Sequence, residues 1–225
     1  MATTAPEMTT GGVLFDLDGV LVDSAAFHLR AYERVFAEAG LPFPDVARTA
    51  VTDGKARSHV IDLAAPSATP GLKRNLAEAK PKALEAILRE SSDCSMPGAT
   101  ETVRALVSAR VPMAVVTNSL APQIWLRKIG VATQMQAVVT GEDTSSPKPS
   151  PEGYLLGASR LGLDPRSCLA IEDSYDGWRA AKDAGMQVAV LGDQTPEWLD
   201  TEAELMRRLD ASEVLRRLKR IAARR

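Results

Sequence analysis

No stretch of this sequence is apolar for anything near the 18 or so residues that a membrane-spanning helix needs, which excludes a helical membrane protein. Cysteine is almost lacking. Cys94 and Cys168 stand far apart with no Cys-x-x-Cys and no histidine at ligand spacing, so neither a disulfide framework nor a zinc site is indicated. Both thiols are expected to be buried. An excess of one charge is also missing: a formal net charge of −2 gives no general attraction to nucleic acid or anionic lipid. The opening residues have neither the basic start nor the apolar middle of a secretion signal, so 1–11 reads as a flexible leader and the expected location is the cytoplasm. Internal repeats and low-complexity tracts are absent.

What is present is the composition of a soluble globular chain, 45% apolar and 25% charged. Its 225 residues suffice for one full core plus a smaller accessory domain. Short apolar runs rich in Val, Ile and Leu occur at 13–17, 113–116, 137–139, 168–171 and 188–191, with helical stretches at 122–129, 151–161 and 175–184 between the later ones. Apolar strands alternating with helices predict an α/β fold: a doubly wound, Rossmann-like parallel sheet buried on both faces. The first two runs are separated by about 95 residues, where one crossover takes roughly 30. An inserted small α-helical cap accounts for the excess, with helices at 25–39, 56–64 and 72–90, while 99–109 is the crossover back into the sheet. The expected division is a core of 12–22 and 96–225 and a cap of 23–95. The basic tail reads as one surface helix over 205–225, with Leu205, Leu209, Leu215 and Leu218 as its apolar stripe.

In a doubly wound sheet, ligands bind beyond the carboxyl ends of the strands. Three expected strands end there in reactive groups: Asp16 and Asp18 after the first, Thr117 and Asn118 after the second, Glu172 and Asp173 after the fourth. Lys148 lies in a Pro-rich loop after the third. Hard oxygen donors such as Asp16, Asp173 and a backbone carbonyl suit Mg²⁺ better than zinc or copper. Without a cation, Asp16, Asp18, Glu172 and Asp173 repel one another, and Lys148 supplies the remaining positive charge. The Thr117 hydroxyl, and the backbone N–H or side-chain amide of Asn118, can donate to phosphate oxygens. Asp16 is the candidate nucleophile, and Asp18 the group that protonates the leaving oxygen and then deprotonates water. Each motif alone has a plainer explanation, as a turn, a helix cap or a solvated lysine. Complementary charges from three strand ends and one loop are better explained by a single crevice.

FDLDGVLVDS, VVTNS, SPKPSPEGY and AIEDSYDG occur in that order within about 12–191. In order and spacing they resemble the motifs of the haloacid dehalogenase-like superfamily, specifically members with a helical cap inserted after the first motif, such as sugar phosphatases and β-phosphoglucomutase. The resemblance implies Asp16 as nucleophile, Asp18 as acid/base and Thr117 and Lys148 as phosphate partners. It further implies Asp173 as a magnesium ligand, Glu172 in or beside the metal shell, and the Asp18 carbonyl as a further ligand. In the cap it points to His28 near the hinge, to Arg57 or Lys55 in a loop able to hold a distal phosphate, and to Lys80, with Lys82 and Lys73 as alternatives. His59 is expected at the surface. Tyr175 and Trp178 are bulkier than the family usually carries; Trp178 is expected on the sheet and Tyr175 beside the site.

The implied activity is Mg²⁺-dependent hydrolysis of a small phosphorylated sugar or polyol, by a monomer or weak homodimer with no nucleic-acid or membrane partner. A sugar phosphomutase is the nearest alternative. A non-catalytic receiver-like phospho-acceptor domain shares the sheet and acidic pocket, but explains neither Asp18 nor a cap.

Overall fold

A computed structural model describes residues 11–199, 201 and 204–224. Two compact units emerge: residues up to Val22 with those from Ser95 on, and Asp23–Cys94. The chain enters the first unit through strand β1 (Gly12–Phe15), then forms the helical unit from α1 (Ala25–Glu38), α2 (Asp45–Thr52), α3 (Arg57–Ala64) and α4 (Pro70–Glu90). It returns through α5 (Ala99–Ser108), β2 (Met113–Val116), α6 (Gln123–Lys128), β3 (Ala137–Val139), α7 (Glu152–Arg160), β4 (Cys168–Glu172), α8 (Tyr175–Asp183), β5 (Gln187–Leu191), β6 (Leu205–Met206) and α9 (Ala211–Ala222). Of the expected leader, 1–10 lie outside the described residues, and Gly11 is buried.

The six strands form one parallel sheet in the order β3-β2-β1-β4-β5-β6. β1, β2 and β4 are buried throughout because their apolar side chains face helices on both sides of the sheet. The strand order reverses between β1 and β4, and a crevice outside the carboxyl ends at such a reversal is where doubly wound sheets bind ligands. Cys94 and Cys168 are buried, and neither is in a disulfide.

Three expectations need correction. The apolar run at 13–17 leaves the strand ladder after Phe15, because residues 17–22 turn back on themselves, with the Gly19 N–H donating to the Val22 carbonyl at 2.8 Å. Helix α2 was not expected; Ala47, Ala50 and Val51 bury at helical spacing, but the segment is short and rich in Thr and Val, which favour helices weakly. The tail is not one helix. Leu205 and Met206 pair with Val190 and Leu191 as β6, Leu209 is buried in the connection, and α9 starts at Ala211 with the Asp210 carboxylate accepting from the Glu213 N–H at 3.0 Å. The buried stripe of α9 is Val214, Leu218 and Ile221, with Leu215 only half-buried.

Candidate active site

Asp16 follows β1 directly, and its N–H still donates to the Ile171 carbonyl of β4 at 2.9 Å. Thr117 follows β2 in the same way, donating to the Val139 carbonyl of β3 at 3.0 Å. Both side chains therefore start from backbone that the sheet holds rigid. Glu172 is the last residue of β4 and fully buried, and Asp173 comes next. One carboxylate oxygen from each of Asp16, Glu172 and Asp173 lies within 4.8 Å of the others. The Asp18 carboxylate is outside that group; Asp18 is half-buried on the turn, its backbone bridging to Val22.

Lys148 reaches this cluster with an almost fully buried ammonium that donates to Asp16 Oδ1 and, at 2.6 Å, to Glu172 Oε1. Asn118 also has a role beyond the expected one: its side-chain carbonyl accepts the Lys148 backbone N–H at 3.1 Å, so it anchors the lysine loop. Glu152 ties the same loop down, accepting from the Ser145 N–H at 2.9 Å, the Ser145 hydroxyl at 2.8 Å and the Ser146 N–H at 3.2 Å. Thr117 Oγ1 accepts from the Ser119 N–H at 3.0 Å. Thr117, Asn118, Ser146 and Lys148 line one small cleft.

Tyr154 is a member of this site that the sequence did not single out. Its buried hydroxyl donates to Glu172 Oε1 at 2.6 Å, and the Lys148 ammonium lies 5.2 Å from its ring centroid. Burial, and next the Glu172 charge, hold the phenol well above its ordinary pKa, which keeps it a donor. Its place six residues after Lys148 in the same motif was the only available signal.

Electrostatically the cluster carries more negative charge than Lys148 offsets. Burial pushes the Asp16 carboxyl well up; Lys148 opposes this, while Glu172, Asp18 and Asp173 add to it. Asp173 is raised to about 7, by the protein packed around its carboxyl and then by Glu172. Because Asp173 is exposed as a residue, the neighbouring charge is the firmer of those two causes. Lys148 is raised because Asp16 and Glu172 outweigh the burial that opposes its charge. Three converging carboxylates with one lysine are a donor set that fits a hard divalent cation.

Two glycines make the cluster possible. A Cβ on Gly19, whose φ is +78°, would sit 1.9 Å from Asp173 Oδ2, and one on Gly177 would sit 1.9 Å from the Glu172 carboxyl carbon. Beyond Asp173, Tyr175 packs against Trp178 and Trp198 with centroids 5.8 and 5.7 Å away, and it keeps 46% of its surface exposed. Trp178 is buried in the core beside the sheet, its indole N–H donating to Glu204 at 2.7 Å.

Within the helical unit, Lys80 Nζ lies 2.6 Å from His28 Nδ1 and 5.3 Å from the centroid of the Tyr32 ring. Burial, then Lys80 and Arg57, lower His28 to about 3, so the imidazole is neutral at physiological pH and Nδ1 accepts from the ammonium. Arg57 Nη1 donates to the Ala77 carbonyl at 3.3 Å. Among the alternative lysines, Lys73 pairs with Asp62 at 2.7 Å, and Lys55 and Lys82 are exposed, as is His59.

A lysine and three carboxylates thus meet at the switch point of a doubly wound sheet, where α/β folds bind their ligands. The model of the haloacid dehalogenase-like hydrolases matches residues 10–185, and the chain belongs to that family. It is 32% identical over 177 residues to validoxylamine A 7'-phosphate phosphatase from Streptomyces hygroscopicus subsp. limoneus, covering 77% of this chain and 81% of that protein. With fructose-1-phosphate phosphatase from Escherichia coli it shares 30% identity over 180 residues, covering 78% and 93%. The crystal structure of β-phosphoglucomutase from Clostridium difficile superposes with a TM-score of 0.75 over 95% of this chain and 99% of that one, at 21% identity, a likeness of fold. No helix among the described residues is long and apolar enough to cross a membrane.

Proposed function

We propose that the protein is a Mg²⁺-dependent phosphatase of a small phosphorylated sugar or polyol, working through an aspartyl phosphate on Asp16. The observation that carries this reading is the buried Lys148 ammonium shared by Asp16 and Glu172 within the Asp16, Glu172, Asp173 cluster. Two relatives above named as phosphatases of phosphorylated, sugar-like molecules support the substrate class.

Asp16, Glu172 and Asp173, with the Asp18 carbonyl, would hold the magnesium ion, whose charge would neutralise the cluster and draw electron density from the phosphoryl oxygens. The Asp16 carboxylate attacks phosphorus, and the bond to the sugar oxygen breaks as Asp18 donates its proton to that oxygen. Asp18, now ionised, takes a proton from the water that attacks the aspartyl phosphate, which releases phosphate and regenerates Asp16. Lys148, Thr117 and the backbone N–H or side-chain amide of Asn118 bind phosphoryl oxygens, while the Asn118 side-chain carbonyl fixes the Lys148 loop. His28, Arg57 and Lys80 are the proposed contacts of the helical unit with the rest of the substrate.

The test is release of inorganic phosphate from a panel of sugar, polyol and nucleotide phosphates with magnesium present. A kcat/KM of roughly 10⁴ M⁻¹s⁻¹ or better for one class, abolished by chelation and restored by magnesium, is the expected result. Full activity under excess chelator with trace metal excluded would overturn the metal requirement. A sugar 1-phosphate supplied with catalytic 1,6-bisphosphate distinguishes the mutase: fast formation of the 6-phosphate with negligible free phosphate would replace the phosphatase reading.

The glycine beside Asp173 gives a sharper expectation. Gly19→Ala adds a Cβ where Asp173 Oδ2 lies and forces a left-handed φ on alanine, so Asp173 must move. Turnover is expected to fall about 10- to 100-fold with a raised magnesium requirement, as when a metal ligand loses its support. A magnesium titration of the variant checks it; a curve superimposable on that of the parent protein refutes it.

A further inference from the structure

Pro81 lies in the interior of α4, where proline is the least favourable residue. It has no N–H for the carbonyl four residues back, and its ring pushes that carbonyl out of the helical ladder. That carbonyl belongs to Ala77, and it is the acceptor of the Arg57 guanidinium at 3.3 Å. Arg57 opens the neighbouring helix α3, so its side chain would otherwise swing freely from a helix N-terminus. Ala77 is half-buried, and an arginine donor is a charge-assisted replacement for the N–H that Pro81 withholds from its carbonyl. The residue before Pro81 is Lys80, which contacts His28, and the Arg57 charge is felt at both His28 and Tyr32. The missing donor in α4 therefore falls beside the cationic groups Lys80 and Arg57.

We infer that Pro81 is a positioning residue for Arg57: by withdrawing an N–H from the Ala77 carbonyl, it makes that carbonyl the anchor that holds the guanidinium in place for the substrate. This rests on the proposed contact between Arg57 and substrate.

The test is Pro81→Ala in the full chain, a change that restores an N–H to the helix and is expected to raise Tm. Two further readouts separate positioning from stability. The Arg57 Nε–Hε heteronuclear NOE is expected to fall toward the value of a mobile side chain. KM for fructose 1-phosphate, or Ki where it is not turned over, is expected to rise about 3- to 10-fold with kcat within about twofold, the loss of roughly one hydrogen bond. Adding Pro81→Ala to Arg57→Ala should then cause no further loss. A variant that is more stable yet binds less well is what a purely structural proline would not give. An Arg57 NOE unchanged in Pro81→Ala overturns the anchoring. A lowered NOE with unchanged KM removes Arg57 from the substrate contacts, and the positioning role with it, while leaving the phosphatase reading to its own assay.

Discussion

Asp16→Asn is expected to lower turnover by about 10⁴-fold or more, as loss of a covalent nucleophile does elsewhere, without loss of the fold. The amide is nearly isosteric and cannot form the acyl phosphate. Stability should hold or rise, because burial and the carboxylates of Glu172, Asp18 and Asp173 all disfavour the Asp16 charge, and only Lys148 opposes them. Asparagine removes that repulsion but also one partner of Lys148, and Glu172 remains to hold the ammonium at 2.6 Å. Steady-state phosphate release and thermal unfolding, with and without magnesium, check both halves. A folded Asp16→Asn protein within tenfold of parental turnover would refute the nucleophile.

The sheet was legible where a strand is an uninterrupted apolar run. Val13, Leu14 and Phe15, Met113 to Val116 and Cys168 to Ile171 are buried on both faces, so no other segment type explains them as well. β6 escaped because two residues carry no periodicity; Leu205 and Met206 were equally good as part of an amphipathic stripe, and only their pairing with Val190 and Leu191 separates the cases. Helix α2 escaped for a related reason, since three small buried residues in a Thr-rich octet give a weak signal.

In the site, formal charge was legible and hydrogen-bond direction was not. Lys148 and the three carboxylates could be brought together from motif order and strand ends alone. Asn118 carries both donors and an acceptor, and the use of its carbonyl to hold the Lys148 N–H is seen only with that loop in place. Tyr154 looks like any aromatic core residue until its hydroxyl is seen to end at Glu172. The bond between Arg57 and the Ala77 carbonyl joins residues twenty apart through a proline's missing donor, which no local pattern encodes.

Lys148→Ala is the second large effect, and it tests the site as a charge balance. Lys148 is the cation that both Asp16 and Glu172 contact, and all three are buried. Removing one partner of a buried ion pair leaves uncompensated charge and typically costs about 3–5 kcal/mol, so the metal-free variant should be destabilised by that order at pH 7.5. The sign of the pH dependence follows from Asp16. Its folded pKa is already raised above the unfolded value and rises further without the lysine. Above the unfolded pKa the native state then binds more protons than the unfolded one, so stability falls as pH rises from about 4 toward the folded pKa. The deficit of Lys148→Ala relative to the parent protein is therefore expected to be largest near pH 8 and to shrink toward pH 5. Adding Glu172→Gln should restore part of the stability by removing one of the facing charges. It should restore none of the activity, since neither the phosphoryl oxygens nor the ionised form of Asp16 regain their cation. Denaturant unfolding of both variants across that pH range, in chelator, checks the balance. A destabilisation independent of pH and untouched by Glu172→Gln would mean that Lys148 contributes through packing and not through charge.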